Sequence, residues 1–575
     1  MAEVVTGGAA VIDGLVANGV RHVFGIPGTH NLELYRYLPA SGIKHIVTRH
    51  EQGAGYAADG YARVTGGPGV LITTSGPGIT NAITALATSY ADSVPTLAIS
   101  PGPPRGTVGK DIGWLHELKN QQGALDAVCD RSIRVENADE LPETIADIFT
   151  GFHTRRPRPV HLEIPVDVLE GEWVRRTATA PSSPAPAALD SVALGNIIIA
   201  LTQSVKPLLI VGGGARGAGE QIRTLAAAGV PVLTTVNGKG ILDETDPLSL
   251  GASIRLAAAH QAVSEADLVI AIGTELGDSD LWGGVLQAAK VIRIDVDPAQ
   301  LQKNLSADLT VTGDAGRVLQ AIVTDSLFTK ARVAERPDPT TIASRPEAEQ
   351  GIAPAQAAAR PKAETFAGRA EAGTGAGRWE VGHIAGWRKA ILAEAAKDAG
   401  PWAEIQRVLA EALPADTVIA GDSSQVTYYG TVHYWPFTPG NRLLYPTGYA
   451  TLGYGLPAAI GAKIAAPERA VVGLFGDGAA MFTVQELVTA TELKLALPIV
   501  VADNGGYAEI REQMVDRGIA PQAVDLYQPD LPALARAIGA YGVEATIDTL
   551  GALTAEALTA GRPTLIHLAI ERSHA

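Results

Sequence analysis

The sequence predicts an α/β protein of three domains, each built around a mainly parallel, doubly wound sheet. With 575 residues, the chain is long enough for about three or four domains. Short apolar stretches of strand length alternate with amphipathic stretches of helix length along most of the sequence. Two stretches rich in Ala and Pro interrupt this alternation and divide it into three blocks.

The first block, residues 1–175, runs from "RHVFGIPGTHNLELYRYL" to "PVHLEIPVDVLEG" and is followed by the Pro/Ala/Ser stretch "TATAPSSPAPAALD". The second block, residues 190–328, contains the strand-like runs "KPLLIVGGG", "DLVIAIG" and "KVIRIDVDP". Residues 329–397 are predicted to be an Ala/Pro-rich linker, because residues 329–378 show little strand pattern. The third block comprises residues 398–575.

Composition argues for a soluble globular protein of the cytoplasm. Hydrophobic residues make up 46% of the chain, yet no apolar run approaches the roughly 20 residues that a membrane span needs. The N-terminal sequence lacks the basic region of a secretory signal. One cysteine, Cys129, excludes an internal disulfide and fits a reducing compartment. A net charge of −16 argues against nucleic acid as a partner.

The most informative stretch of the third block is "GDGAAMFTVQELVTATELKLALPIVVADNGGY", residues 476–507. A buried strand ending at Phe475 precedes it, and "LPIVVADN" reads as a second strand after an amphipathic helix. In such a βαβ crossover both turns lie at the same edge of the sheet, so Asp477 and Asn504 can converge. Each turn alone would be read as a tight turn only. The pair predicts a small hard cation such as Mg²⁺, holding a diphosphate.

The second block contains a formal GxGxxG match, formed by Gly212, Gly214 and Gly217. A dinucleotide site would also need an acidic residue about 20 positions further on, where "LTTVNGKGILDE" offers Asn237 and Lys239. A structural α/β domain is therefore favoured here over a nicotinamide or flavin site.

In the first block, Glu51 follows the strand-like run "KHIVTRH" and opens a helix of small residues. Further on, "TTSGPGITNAITAL" contains a Gly-Pro-Gly turn, with Asn81 near the start of the next helix. Taken alone, Glu51 is more simply a helix-terminal charge and the second motif a turn.

Together, these motifs resemble those of the thiamine diphosphate enzymes of the acetolactate synthase and 2-oxo acid decarboxylase superfamily. The resemblance extends over nearly the whole chain and includes "GIPGTHN", "RHEQGAGYAADGYAR", "SGPGITN", "YPTGYATLGYGLPAAIGA" and the "GDG…N" signature. It implies two copies of the thiamine diphosphate-binding fold with a central Rossmann-like domain between them. The joint presence of Glu51, Leu452, Asp477 and Asn504 argues against a non-catalytic member.

The resemblance implies a role for each motif residue. The side chains of Asp477 and Asn504 and the carbonyl of Gly506 would bind Mg²⁺. Glu51 would contact N1′ of the aminopyrimidine, and Leu452 would form the wedge between the two rings of the cofactor. The remaining implied cofactor-binding residues are Gly76, Asn81, Ala450, Gly476, Gly478, Ala479 and Tyr507. Because the glutamate comes from the neighbouring subunit in this family, a homodimer or homotetramer with the active site at the subunit interface is implied.

The substrate is less clearly marked. Acetolactate synthases carry a methionine and a tryptophan where this chain has Glu509 and Gln513, and pyruvate decarboxylases carry a His-His pair where it has only His116. The combined motifs look closest to the 5-guanidino-2-oxopentanoate decarboxylase branch. A guanidinium group prefers a carboxylate partner.

The substrate-binding candidates are accordingly Glu509, Gln513, Asp111 and Glu117. The simpler interpretation is that each of the three acids is only a surface charge, because acids are common in a protein with a net charge of −16. Proton transfer is assigned to Thr29, His30 and His116. Gln121 or Gln122 is expected to face the cofactor, with Gln121 preferred.

The favoured function is non-oxidative decarboxylation of a 2-oxo acid to an aldehyde and CO₂, with thiamine diphosphate and Mg²⁺ as cofactors. The alternative is a carboligase of acetolactate synthase type, joining two 2-oxo acids or a 2-oxo acid and an aldehyde. A flavin or nicotinamide oxidoreductase is the least favoured, and FAD is a candidate ligand that the sequence does not favour.

Overall fold

A computed structural model describes residues 3–176, 187–282, 284–329 and 381–570. Most of the predicted linker 329–397 therefore lies outside the described residues. Three α/β units follow one another along the chain, each with a six-stranded sheet. Within the described ranges, no helix has the length and apolar character needed to cross a membrane.

The N-terminal unit contains a parallel sheet of strand order β3-β2-β4-β5-β7-β6, with a separate antiparallel pair formed by β1 and β8. Its strands are β1 Val4–Thr6, β2 His22–Gly25, β3 Lys44–Val47, β4 Gly69–Ile72, β5 Thr96–Gly102, β6 Arg131–Arg134, β7 Val160–Pro165 and β8 Glu172–Val174. Its helices are α1 Gly7–Ala17, α2 Leu32–Ser41, α3 Glu51–Thr65, α4 Pro77–Ala91, α5 Gln121–Asp126, α6 Leu141–Thr154 and α7 Val166–Glu170.

The central unit contains a parallel sheet of order β11-β10-β9-β12-β13-β14. Counted from its own first strand, this order is 3-2-1-4-5-6, which is that of the doubly wound dinucleotide-binding fold. The strands are β9 Pro207–Val211, β10 Val232–Thr234, β11 Ser249–Gly251, β12 Leu268–Ile272, β13 Val291–Asp295 and β14 Leu309–Thr312. The helices are α8 Ser191–Gln203, α9 Gly219–Ala227, α10 Ala257–Glu265, α11 Asp278–Leu281 and α12 Ala315–Thr324.

The C-terminal unit contains a parallel sheet of order β16-β15-β17-β18-β20-β19. Counted from the first strand of each main sheet, this order matches that of the N-terminal unit, so the predicted duplication around a Rossmann-like centre is confirmed. The strands are β15 Val418–Gly421, β16 Arg442–Leu444, β17 Val471–Gly476, β18 Pro498–Asp503, β19 Tyr541–Ala545 and β20 Thr564–Ala569. Helix α13 Val381–Ala399 precedes this unit and packs on the central one. The helices of the C-terminal unit are α14 Trp402–Ala412, α15 Gly455–Ala465, α16 Asp477–Thr483, α17 Glu486–Glu492, α18 Ala508–Asp516, α19 Leu531–Ile538 and α20 Ile547–Ala557.

Helix α13 differs from the prediction, because it occupies the end of the segment expected to be a linker. Ile384, Trp387, Ile391 and Ala395 recur at helical spacing, and all four are buried in the core of the central unit. The Trp387 indole N–H also donates a hydrogen bond to Glu265 Oε2 over 2.8 Å. The Ala-rich composition hid this apolar stripe.

Helices α3 and α15 join the N-terminal and C-terminal units through their backbones. A Cβ atom at Gly461 would overlap the carbonyl oxygen of Ala57, and one at Gly60 would overlap the carbonyl oxygen of Ala458. Only glycine permits this approach, which brings the helix that begins at Glu51 against the C-terminal unit.

We expect Gly461→Ala to lower the free energy of unfolding by about 1–3 kcal/mol, because the added methyl group forces the two helices apart. Urea denaturation measures the effect. Gly386→Ala in α13 is the matched control, since nothing lies within 4 Å of a Cβ atom there and alanine favours the helix. A Gly461→Ala protein as stable as the wild type would contradict the close packing.

Candidate active site

The turns after β17 and β18 lie side by side at the carboxyl edge of the C-terminal sheet. Gly476 of β17 pairs with Ala502 of β18, which brings the two following polar residues together. The backbone N–H of Asn504 donates a hydrogen bond to Asp477 Oδ1 over 3.3 Å. The structure thus brings Asp477 and Asn504 into contact across the crossover.

Three oxygen-bearing groups converge at this point. One terminal atom of the Asn504 amide lies 3.2 Å from Asp477 Oδ1 and 3.2 Å from the carbonyl oxygen of Gly506. Oδ2 of Asp477 is buried and has no hydrogen-bond partner among the described residues. Burial, followed by the nearby charge of Asp503, raises the pKa of Asp477 to about 6.

Asp503 differs from its neighbour in having a counter-ion. Its Oδ2 lies 2.9 Å from Nε2 of His567, and its Oδ1 accepts the N–H of Gly505 over 2.8 Å. The contacts of His567 with Asp503 and with Glu544 raise the pKa of this histidine to about 9. Asp503 is therefore fixed by the protein itself, whereas one oxygen of Asp477 is not.

A cavity of about 940 Å³ opens onto this edge. It is lined by every residue that was predicted for the C-terminal half of the site. These residues are Ala450, Leu452, Gly476, Asp477, Gly478, Ala479, Asn504, Gly506, Tyr507, Glu509 and Gln513. The central unit contributes Arg255, Asp278 and Trp282 to the wall.

Leu452 lies on a segment whose backbone is tightly constrained. Ala450 has a left-handed φ of 51°, which is uncommon for a residue other than glycine. Asp422 accepts the N–H groups of Gly453 and Gly455 over 3.2 and 2.8 Å. Burial raises the pKa of Asp422 to about 7, against the effect of these hydrogen bonds. Sequence reasoning missed Asp422.

Sequence reasoning also missed Ser423, Ser424 and Gln425, which follow Asp422 and line the cavity. The signal was available, because "VIAGDSSQ" is a buried strand followed by polar residues. Since β15 is the neighbour of β17 in the sheet, these residues reach the same edge as Asp477.

Glu509 is half-buried and held by three donors. Tyr429 Oη donates to its Oε2 over 3.1 Å, Gln513 Nε2 donates to its Oε1 over 2.9 Å, and Gln425 Nε2 lies 3.2 Å from Oε2. Gln425 also accepts a hydrogen bond from the Asn504 amide over 3.2 Å. A single glutamine thus links the metal-site candidate to the acid in the cavity wall.

Aromatic rings lie beside Glu509. The rings of Tyr428 and Tyr429 are 4.7 Å apart, and Trp282 lies 5.9 Å from Tyr429. The guanidinium of Arg255 lies 4.1 Å from the centre of the Trp282 ring. This wall therefore combines a carboxylate with ring faces, one of which already carries a guanidinium.

The predicted site residues of the N-terminal unit form a second group, the N-terminal cluster, around Glu51, Gly76 and Asn81. Glu51 begins α3, is 9% exposed, and accepts a hydrogen bond from Asn81 Nδ2 to its Oε2 over 3.0 Å. Gly76 caps the helix that carries Asn81, with φ 59°. Both residues follow the carboxyl ends of strands, as Asp477 does in the other unit.

Gln121 is buried, and its amide is fully engaged within the N-terminal unit. Its Oε1 accepts the N–H of Gly76 over 3.0 Å, and its Nε2 donates to Glu163 Oε2 over 3.0 Å and to the carbonyl of Pro101 over 2.9 Å. Gln122 instead donates to the Ser132 carbonyl. Gln121 therefore holds the Gly76 turn through its amide.

The two predicted histidines share one hydroxyl. Nδ1 of His30 lies 2.6 Å from Ser75 Oγ, and Nδ1 of His116 lies 3.5 Å from the same atom. His30 also stacks on Trp114 at 4.3 Å between ring centres. Burial, followed by the charge of His116, lowers the pKa of His30. Thr29 opens the 3₁₀ turn that carries His30.

The two further predicted acids do not join Glu509 within one chain. Asp111 is exposed on the loop that precedes Trp114. Glu117 accepts the N–H of Trp114 over 3.0 Å and so stabilises its own loop. Both lie in the N-terminal unit, and no described residue of 3–176 lines the 940 Å³ cavity.

A second cavity, of about 530 Å³, lies where the three units meet. Gly213 and Gly214 of the glycine-rich loop line it, on a 3₁₀ turn that precedes α9. Side-chain nitrogens of Arg156, Arg216 and Arg442 in its wall are buried without hydrogen-bond partners in the described part of the chain. β10 is followed by Thr235 rather than by an acid.

Comparison with known proteins covers all three units. The family model of the thiamine pyrophosphate enzyme N-terminal TPP-binding domain matches residues 5–126, that of the central domain residues 194–322, and that of the C-terminal TPP-binding domain residues 422–568.

Full-length relatives agree with these matches. A probable 2-ketoarginine decarboxylase, AruI, of Pseudomonas aeruginosa is 39% identical over 93% of this chain and 89% of its own length. An acetolactate synthase of Arthrospira platensis is 34% identical over 94% of this chain and 89% of its own. A probable acetolactate synthase large subunit of Methanocaldococcus jannaschii is 31% identical over 99% of this chain and 92% of its own length. With three matching domains in the order of the three sheets, this chain belongs to the thiamine pyrophosphate (thiamine diphosphate) enzyme family.

Proposed function

We propose that the protein decarboxylates a 2-oxo acid with a guanidinium side chain, 5-guanidino-2-oxopentanoate, to the aldehyde and CO₂. One observation carries the proposal: a single cavity contains the Asp477–Asn504–Gly506 oxygen set and the carboxylate of Glu509. The name of the Pseudomonas relative supports the same substrate, because 2-ketoarginine is 5-guanidino-2-oxopentanoate.

The oxygen set fits Mg²⁺. A carboxylate, an amide and a backbone carbonyl are the hard ligands that this ion takes from a protein, while phosphates and waters complete its shell. The partnerless Oδ2 of Asp477 is an acceptor that a cation would satisfy. If the Asn504 amide oxygen occupies the position 3.2 Å from the two other oxygens, a cation would also relieve their mutual repulsion.

The surroundings of this set suit a diphosphate. Gly476, Gly478 and Ala479 lie at the start of α16, where backbone N–H groups attract phosphate oxygens. Tyr507 packs on Gly478, since a Cβ atom there would lie 2.9 Å from the tyrosine ring. The hydroxyls of Ser423 and Ser424 are further donors in the same wall.

Thiamine diphosphate supplies the electron sink on which decarboxylation depends. Glu51 exchanges a proton through its carboxylate, which Asn81 orients. Leu452 and the carbonyl of Ala450 line the cavity and would position the cofactor there for reaction. His30 and His116, linked through Ser75, handle protons at the reacting carbon. Thr29 supports His30 in the same turn.

The substrate side chain would be recognised at Glu509. Its carboxylate is pre-oriented by Tyr429 and Gln513, so binding a guanidinium costs little reorganisation. The tyrosine and tryptophan faces beside it suit the flat surface of that cation. Asp111 and Glu117 are assigned a secondary role at the mouth of the site.

A complete site requires two chains in this proposal. Glu51 and the histidines belong to one cluster and Asp477 to another, and apolar side chains beside both are exposed. Ile112 and Leu115 are about 60% exposed near the histidines, and Met481 and Phe482 are 43% and 48% exposed next to Asp477. We therefore propose a cytoplasmic homodimer or homotetramer, in which one subunit's N-terminal cluster faces the other's cavity.

Two alternatives differ in their observable products. A carboligase of acetolactate synthase type would yield a condensed hydroxy-oxo product, in line with the Arthrospira relative's name. An oxidoreductase would use the arginine-lined second cavity, and bound flavin would give the purified protein a visible absorbance. Glu509 favours the decarboxylase, because an acid there suits a cationic side chain better than the uncharged side chains of carboligase substrates.

The first test is CO₂ release with thiamine diphosphate and Mg²⁺ across a panel of 2-oxo acids. We expect a strong preference for 5-guanidino-2-oxopentanoate over pyruvate, 2-oxoisovalerate and phenylpyruvate, with the aldehyde as the product by mass spectrometry. Preference for pyruvate with a condensed product would move the protein to the carboligases.

A subunit-mixing experiment tests the two-chain site. Glu51→Gln should bind cofactor but lose most turnover, and Asp477→Ala should lose Mg²⁺-dependent cofactor retention. In a heterodimer of the two variants, one site would be intact and the other doubly altered, so about half the wild-type activity should return. If both residues served the same chain's site, each site would keep one defect and no activity would return.

Glu509→Gln tests the specificity assignment. We expect kcat/KM for the guanidino acid to fall by about 10- to 150-fold, as for loss of a hydrogen bond to a charged partner. The control substrate is a 2-oxo acid of similar length with an uncharged side chain, and its kcat/KM should change little. An equal loss on both substrates would assign Glu509 a structural role.

A further inference from the structure

The segment 447–455, which carries Ala450 and Leu452, is held at its start by the N-terminal unit of the same chain. Oδ2 of Asp92 accepts the N–H of Thr447 over 3.1 Å, and Oδ1 accepts the N–H of Gly448 over 2.9 Å. Asp92 caps the C-terminus of α4, and its side chain is only 2% exposed. A Cβ atom at Gly448 would lie 2.8 Å from the Cβ atom of Ala91, so the two backbones touch.

The end of the segment is held by a second buried aspartate. The hydroxyl of Tyr454 donates a hydrogen bond to Asp59 Oδ1 over 2.6 Å, and both side chains are fully buried. Ser89 donates to the other oxygen of Asp59 over 2.8 Å. Between the two ends, the hydroxyls of Thr451 and Tyr56 are 2.9 Å apart. The segment therefore contacts the N-terminal unit on one side, while Leu452 faces the cavity.

One guanidinium connects the two aspartates. Arg63 Nε lies 2.6 Å from Asp59 Oδ1, and its Nη2 lies 2.8 Å from Asp92 Oδ2. The arginine is 5% exposed and has a carboxylate on either side. A buried planar group with two fixed acceptors can adopt few alternative positions, so the separation of Asp59 and Asp92 is fixed.

The segment needs this support, because its central conformation is strained. A non-glycine residue at positive φ, such as Ala450 at 51°, persists only where its surroundings hold it. Asp422 holds the backbone that follows Leu452, and Asp92 holds the backbone that precedes Ala450. Removing either anchor would let Ala450 relax and Leu452 shift.

We propose that Asp59, Arg63 and Asp92 form a positioning triad that sets the place of Ala450 and Leu452 for the cofactor. None of the three touches the cavity that holds Asp477, and none is assigned a catalytic role. The inference rests on the proposed use of thiamine diphosphate, but not on the identity of the 2-oxo acid.

Asp92→Asn is the principal test, with Mg²⁺ and thiamine diphosphate as the probe. The amide keeps an acceptor for one backbone N–H but loses the second acceptor and the charge opposite Arg63. We expect cofactor affinity, measured by fluorescence quenching, to weaken on the order of tenfold. The near-UV circular dichroism of the bound cofactor should change, and kcat should fall on the order of 100-fold with little change in KM.

Asp267→Asn is the matched control. Asp267 also accepts two backbone N–H groups, those of Val205 and Lys206, each over 2.8 Å, but it lies in the central unit away from the segment. It should lose thermal stability without altering the circular dichroism of the bound cofactor or kcat. If Asp92→Asn loses thermal stability alone, as Asp267→Asn does, the triad is only structural and the proposal is overturned.

Tyr454→Phe covers the case in which Asp92→Asn does not fold. It removes one hydroxyl and leaves the Arg63 pairs in place, so a folded protein is expected with smaller changes of the same kind. A wild-type circular dichroism signal and wild-type kcat in this variant would also overturn the proposal. Cofactor readouts need no 2-oxo acid, so a wild type that binds cofactor but decarboxylates none of the panel would count against the substrate and not against the triad.

Discussion

The carboxyl ends of parallel strands determine where chemistry can occur in this protein. His30 follows β2, Glu51 follows β3 and Gly76 follows β4, while Asp422 and Asp477 follow β15 and β17. Since neighbouring parallel strands end at the same edge, residues far apart in sequence meet there without any special device. The duplicated strand order gives the chain two such edges, and the two clusters of polar residues occupy one each.

Buried acids serve opposite purposes at these edges, and their partners distinguish them. Asp503 has His567, Asp422 has the N–H groups of the segment around Leu452, and Asp59 has Arg63. Each of these carboxylates is satisfied by the protein and stabilises its shape. Asp477 has a buried oxygen without a partner, so its desolvation is offset only when something else supplies the charge. That asymmetry supports the proposal that Asp477 is a metal ligand.

The predictable part of the site followed from local physics. A βαβ crossover fixes the relation of Asp477 to Asn504 whatever the rest of the chain does, and glycine-flanked turns mark where it ends. The partners that each polar side chain contacts depend on the tertiary structure, and they could not be predicted from the sequence. Nothing in the spacing of Gln121 reveals that Glu163 and Gly76 take up its amide, and nothing near Asp111 reveals that its loop stands apart from Glu509. Helix α13 was missed because alanine obscured its apolar stripe.

Helix α3 combines two duties that are usually separate. Its first residue, Glu51, belongs to the N-terminal cluster, whereas Tyr56, Asp59 and Arg63 hold the segment that carries Leu452 in the same chain. From Glu51 to Arg63 the helix extends roughly 18 Å as a single rigid rod. In the proposed dimer, the two ends of this rod belong to different active sites. In that dimer, a displacement of the rod at one end would be transmitted to the other, and one helix would link the two active sites.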